Sequence, residues 1–253
     1  MCILYTEVTK IFDEKFKIRV SLFIKETIDR DAKAFNFVKN NGEANYNLFL
    51  NKLIPNLVKL NKERREKAED EKNEIPLRYL AFDLLPFGNS DSDKLKQTLW
   101  IRPSDGNRAL FDEISENETK ITRQDLSSYI RGLLDEYANL LEFKRERIVF
   151  MDEAELAMLA RDSKRILKFR YENELKRTYV FACVFSYLNE HGNYLLCYDI
   201  ETKIICRYQL CEIRALHLIK DKYKPSEKLY SMCQKYDSEA LWLDDEIIEW
   251  EEE

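Results

Sequence analysis

One alternating strand with no neighbour in sequence to pair with limits most how this chain can fold. Ile18, Val20, Leu22 and Ile24 alternate with Lys17, Arg19 and Ser21, the period of a half-buried strand, and the residues after it read as helix. An unpaired strand leaves a row of backbone N–H and C=O groups without partners, so a second strand must come from elsewhere. About 80 residues on, Leu95, Gln97, Leu99 and Ile101 alternate with Lys96, Thr98, Trp100 and Arg102.

The helices echo as well. After the first strand a short helix is predicted over about Ile28 to Val38, with Thr27 or Asp29 as cap, then the loop NNGEAN and a longer helix capped near Asn45. That helix carries Phe49, Leu50, Leu53, Leu57 and Leu60 on one face, and Pro55 should kink it. After the second strand Ser104 or Asp105 caps a helix to about Ile114, and Thr122 caps another with Leu126, Ile130, Leu133, Tyr137 and Leu140 on one face. Equal offsets for strand and long helix argue for duplication, with repeats at about 15–67 and 94–142.

Charge divides along the chain in the same way. Residues 1–67 carry 14 basic and 9 acidic side chains, 68–93 carry 2 and 7, and 226–253 carry 2 and 10. The overall net charge of -6 therefore comes from an acidic linker (68–93) and an acidic tail (226–253), and does not exclude an anionic partner. The tail's Trp242, Ile247, Ile248 and Trp250 read as a solvated helix with a frayed tip. No apolar run reaches the ~18 residues of a membrane span. The first residues lack a secretory pattern, so a cytoplasmic protein is expected, with no membrane partner. Six cysteines without a CxxC pair suggest reduced, buried thiols.

Strand, helix and helix within about 45 residues, twice over, resembles the ribbon-helix-helix family, in which two copies pair as an antiparallel ribbon. Residues 15–142 then form a tandem pseudo-dimer within one chain. The resemblance implies that outward ribbon side chains enter a nucleic-acid groove while helix N-termini hold phosphates. On this chain those side chains are Lys17, Arg19, Ser21, Lys96, Thr98, Trp100 and Arg102. Arginine suits guanine edges, lysine suits phosphate and an exposed indole offers a stacking face. The competing reading is the wet side of an ordinary strand, with Trp100 covering another domain.

A basic turn, Lys144 to Arg147, leads into a connecting helix (143–164) whose regular part starts at Met151. Five short strands come next, at Ile166–Tyr171, Tyr179–Phe185, Tyr194–Tyr198, Ile204–Tyr208 and Ile213–Ile219, and read as a small barrel. Asn193-Tyr194-Leu195, an IxFxY run and Arg207-Tyr-Gln-Leu-Cys-Glu-Ile213 resemble the WYL domain (165–225), a Sm-like five-stranded β-barrel. Asn193 stands where that family often has Trp. The resemblance implies a ligand or nucleic-acid site at Tyr194 and Arg207, with Arg170, Arg177 and Arg214 as further candidates. Gln209 and Glu212 stand where arginines are common, which weakens an anionic pocket, and solvated strand faces explain the arginines equally well.

Neither His191 nor His217 belongs to a metal or nucleophile motif, and no glycine loop cradles phosphate, so no enzyme, metal or cofactor is expected. The expected fold is α+β. The leading function is a nucleic-acid-binding regulator. Its two modules together resemble bacterial WYL transcription regulators and the WYL accessory proteins of type VI-D CRISPR systems, which implies a DNA operator or single-stranded RNA as partner, a CRISPR effector protein as another, and a homodimer. The alternative is a protein-interaction or small-ligand adaptor without nucleic acid.

Overall fold

The computed structural model describes residues 15–70, 97–118, 125–171, 177–188, 192–224, 226–239 and 247–249. The chain is α+β and divides into two compact units, Met1–Leu140 and Leu141–Glu253. Among the described residues no helix is long and apolar enough to cross a membrane.

In the first unit β1 (Phe16–Val20) pairs antiparallel with β2 (Gln97–Ile101), and Lys17 lies opposite Trp100, Ile18 opposite Leu99 and Arg19 opposite Thr98. The strand that had no local partner in sequence is thus paired with its distant echo. Both strands bury alternate residues in the same pattern, with Ile18, Val20, Leu99 and Ile101 wholly enclosed. That inner face packs on helices α1 (Leu22–Ala34), α2 (Tyr46–Asp70) and α4 (Leu126–Ala138), which contribute Ile24, Ile28, Phe49, Leu53, Ile130 and Leu133 to one core. A buried polar bond crosses it, from the Tyr137 hydroxyl to the Asp31 carboxylate at 2.7 Å.

Helix starts differ from the sequence expectation. Strand β1 stops at Val20, because the Ser21 hydroxyl accepts the Ile24 N–H at 3.3 Å and opens α1 six residues early. Leu22 and Ile24 are therefore helical, and Leu22 is exposed. The Asn45 side chain accepts from Leu48 N at the start of α2, as expected, whereas Asp125 caps α4 by accepting from Ser128 N at 2.8 Å; Thr122 lies outside the described residues. Between β2 and α4 the helix breaks into a 3-10 turn (Asp105–Asn107), α3 (Arg108–Glu113) and a π turn (Ile114–Glu118).

Pro55 lies inside α2 without ending it. Proline has no N–H, so the Asn51 carbonyl loses its helical donor. The Asn107 side chain takes that place, with Nδ2 at 2.6 Å. The Asn51 side chain in turn donates to the Arg102 carbonyl at 2.9 Å and accepts from Ser104 N at 2.7 Å, while Asn47 Oδ1 accepts from Arg102 N at 2.8 Å. The end of β2 is thereby bound to the helix of the other repeat.

The second unit opens with α5 (Glu142–Val149) and α6 (Met151–Ser163). Residues 144–147 are thus helix where the sequence suggested a turn. Phe143, Ile148 and Val149 bury one face of α5, and Arg145 and Glu146 are buried with them. Lys164 ends α6 in the left-handed region at φ 54°.

Strands β3 (Arg165–Tyr171), β4 (Thr178–Leu188), β5 (Gly192–Asp199), β6 (Ile204–Gln209) and β7 (Ile213–Lys222) form one antiparallel sheet in the order β7-β3-β4-β5-β6. Among the described strands this sheet does not close into a barrel. Its β6 edge is taken by β8 (Ile247–Glu249), with Ile205 opposite Ile248, so part of the tail read as frayed helix is a strand. Helix α7 (Glu227–Glu239) covers the sheet through Leu229 and Cys233, against Phe181, Tyr198 and Ile205. Cys197, Cys206, Cys211 and Cys233 are buried free thiols, and burial raises the pKa of the first three.

Candidate nucleic-acid interface

The outward face of the β1–β2 ribbon carries Lys17, Arg19, Thr98 and Trp100, all exposed, with Arg102 just beyond β2. Trp100 is 55% exposed, unusual for the side chain with the largest apolar surface. Strand geometry explains the grouping: side chains alternate across the sheet, so every second residue of each strand faces the same side. Cross-strand neighbours stand about 5 Å apart at Cβ, and the register makes Lys17 the neighbour of Trp100 and Arg19 that of Thr98. Among the described residues none of these five side chains makes a hydrogen bond or an ion pair, so the fold itself does not account for their identity.

Two other residues named from the sequence stand differently. Ser21 is half-buried and serves as the cap of α1, which removes its hydroxyl from the outward face. Lys96 lies outside the described residues. Lys15, unnoticed in the sequence, is exposed next to β1 and continues its charged alternation. The two helix N-termini beside the ribbon differ in charge. The neutral Asn45 caps α2, whereas Asp125 caps α4, where its bonds to Ser128 hold the carboxyl below the usual range and keep it ionised.

A second polar cluster lies at the α1–α2 loop. Tyr46 donates to Asp29, Lys33 reaches the same carboxylate at 2.9 Å, and Lys25 sits over the Tyr46 ring at 3.6 Å. Burial and the Asp29 bond push the Tyr46 hydroxyl up to about 12, and the Tyr46 and Lys33 bonds pull Asp29 down. Its charges are matched internally, and it forms the wall of a shallow cleft with Lys39, Asn41 and Glu43.

In the second unit the expected ligand residues are spread over several strands. Arg170 and Arg214 are cross-strand partners on β3 and β7, and Arg177 is exposed just before β4, but Arg207 lies on β6, at the other end of the strand order. Arg214 is bound to the backbone carbonyls of Cys211 and Ile213, the latter at 2.9 Å. Tyr194 is only 2% exposed and belongs to the core. Glu212 is held by the Tyr171 hydroxyl.

What sequence reasoning missed there is Glu146. Its buried carboxylate accepts from Asn193 N at 2.6 Å, Asn193 Nδ2 at 2.7 Å and Cys211 N at 3.1 Å, while Asn193 Nδ2 also reaches the Phe143 carbonyl at 2.6 Å. Gly192, at φ +74°, leaves room for it: a Cβ there would stand 2.6 Å from Glu146 Oε2. Burial raises the Glu146 pKa, and the three donors offset part of that rise. The available signal was Asn193 itself, since an amide that becomes buried needs hydrogen-bond partners.

No protein-family model matches the chain, and no curated protein does. Among solved structures it is similar to one titled "Crystal structure of a CRISPR Cas-related protein", with a TM-score of 0.57 and 20% identity over 88% of this chain. That is a likeness of fold. The chain spans 66% of that protein's length.

Proposed function

We propose that this chain is a nucleic-acid-binding regulatory protein without catalytic activity, which binds through the outward face of its β1–β2 ribbon. The observation that carries the reading is the exposed set Lys17, Arg19, Trp100 and Arg102 on one side of a two-stranded sheet whose other side buries Ile18, Val20, Leu99 and Ile101. Cations there neutralise phosphates, and an indole is a platform for a base. Two strand-helix-helix repeats paired through their strands support a ribbon-helix-helix pseudo-dimer. The strand order β7-β3-β4-β5-β6 supports a WYL-like, Sm-like module that modulates it. Shared fold with a CRISPR Cas-related protein favours service as an accessory of a CRISPR system over control of a single promoter.

Anisotropy titrations of the full chain against single-stranded RNA and random duplex DNA, at two salt concentrations, test this. Binding should weaken with salt, and Trp100→Ala should lower affinity for single strands about tenfold while leaving nonspecific duplex binding unchanged. An absence of binding to either nucleic acid at low salt would leave the adaptor role instead.

A further inference from the structure

The ribbon is built from two repeats, yet its outward face has lost their symmetry. Strands β1 and β2 share one burial pattern residue for residue, so the rotation that superposes the repeats exchanges Lys17 with Thr98 and Arg19 with Trp100. A lysine thus answers a threonine and an arginine answers an indole. Along the ribbon, Lys17, Trp100 and the flanking Lys15 and Arg102 gather toward one end, and Arg19 with Thr98 stands at the other.

The flanks differ too. Asn47 and Asn51 tie the start of α2 to Arg102 beyond the end of β2, whereas Ser127 ties the start of α4 to the Lys17 carbonyl, at 2.9 Å, near the middle of β1. The ionised, exposed Asp125 cap places a negative charge on the β1 side and the neutral Asn45 cap places none on the β2 side. That charge offsets part of the attraction of Lys15, Lys17 and Arg19 on the β1 side, and the β2 side has no counterpart to it.

We infer that the ribbon's partner is a nucleic-acid segment without two-fold symmetry, bound in a single orientation by one chain. Two identical strands in a ribbon read two identical half-sites, because protein symmetry is mirrored in the target. Here the four outward residues are all different, so a target read through them has different chemistry at its two ends. The inference rests on the proposed nucleic-acid binding and adds the form of the target.

The test is selection by the full chain from two pools with a random central stretch, one duplex DNA and one single-stranded RNA. The expected result is an enriched sequence without an inverted repeat, from whichever pool is retained, bound by one chain per molecule. The variant Thr98→Lys/Trp100→Arg restores the two-fold face and should shift enrichment from the duplex pool toward inverted repeats. Asp125→Asn, which keeps the cap and removes its charge, should tighten binding about threefold. Enrichment of inverted repeats by the unaltered chain, or retention with no enrichment at all, would overturn the oriented target while leaving nucleic-acid binding in place. Retention from neither pool would remove the binding on which it rests.

Discussion

Arginine, lysine and polar side chains occur on strands in both units, but they are employed in opposite ways. On the β1–β2 ribbon they point away from everything that holds the unit together. In the second unit Glu146, Asn193, Glu212 and Arg214 are turned onto backbone groups, one another or, for Glu212, the Tyr171 hydroxyl. For these four residues folding accounts for the polar groups; on the ribbon it does not, which is why a partner is sought there first.

Four measurements put this contrast at risk. The largest effect is expected from Glu146→Ala, which strips three buried N–H groups of their acceptor. Each unsatisfied donor costs ~1–3 kcal/mol, so a loss of about 4 kcal/mol in urea unfolding of the second unit is expected. A loss under about 1 kcal/mol would mean that the network is not structural.

Next comes Asn51→Ala, which frees the Arg102 carbonyl and Ser104 N–H together. About 2 kcal/mol of stability should be lost from the first unit, and nucleic-acid affinity should fall with it as Arg102 loses its anchor. Retained affinity at reduced stability would take Arg102 out of the contact set.

Arg19→Ala should do the reverse of Glu146→Ala. Thermal stability should move by less than about 0.5 kcal/mol, as for exposed positions generally, while binding weakens by ~1–3 kcal/mol if the guanidinium reads a base. A large stability loss would show that the ribbon face is covered.

The smallest effect concerns pH. Glu146 has a folded pKa above the unfolded value of 4.5, so its protonated form is favoured by folding, and stability from this group falls as pH rises from 4.5 through the folded pKa. Asp29 has a folded pKa below 3.8, so its contribution is full above 3.8 and is lost as pH falls. Amide exchange should therefore show protection at Asn193 and Cys211 rising toward mildly acidic pH, with the rise abolished in Glu146→Gln. Protection near Asp29 should stay flat until pH falls below 3.8. Parallel profiles for the two regions would contradict the buried state of Glu146.

Much of the fold was readable in advance where the signal is local and periodic. Alternation located β1 and β2, each of which buries one face, and the distance to their echo, while short strand-like runs between turns placed β3 to β7 to within a few residues. Capping was less legible: Ser21 belongs to an alternating run and to a helix start at once, and only the Ile24 N–H decides between them. The second unit's polar network was illegible in its sequence, because Glu146 looks like one charge in a basic turn until α5 packs it against Gly192. The same holds for β8, whose three residues are strand only because β6 offers them an edge.

The proline in α2 also governs how the two repeats can be combined. Its missing N–H is made good by Asn107 of the other repeat. Counted from the helix caps Ser21 and Ser104, Asn107 answers Ile24 in the first repeat, whose side chain has no donor for the Asn51 carbonyl. Two copies of the first repeat would therefore make a poor homodimer, with the Asn51 carbonyl left without that side-chain donor at each end. The repeats are no longer interchangeable parts, and the first can be completed only by the second.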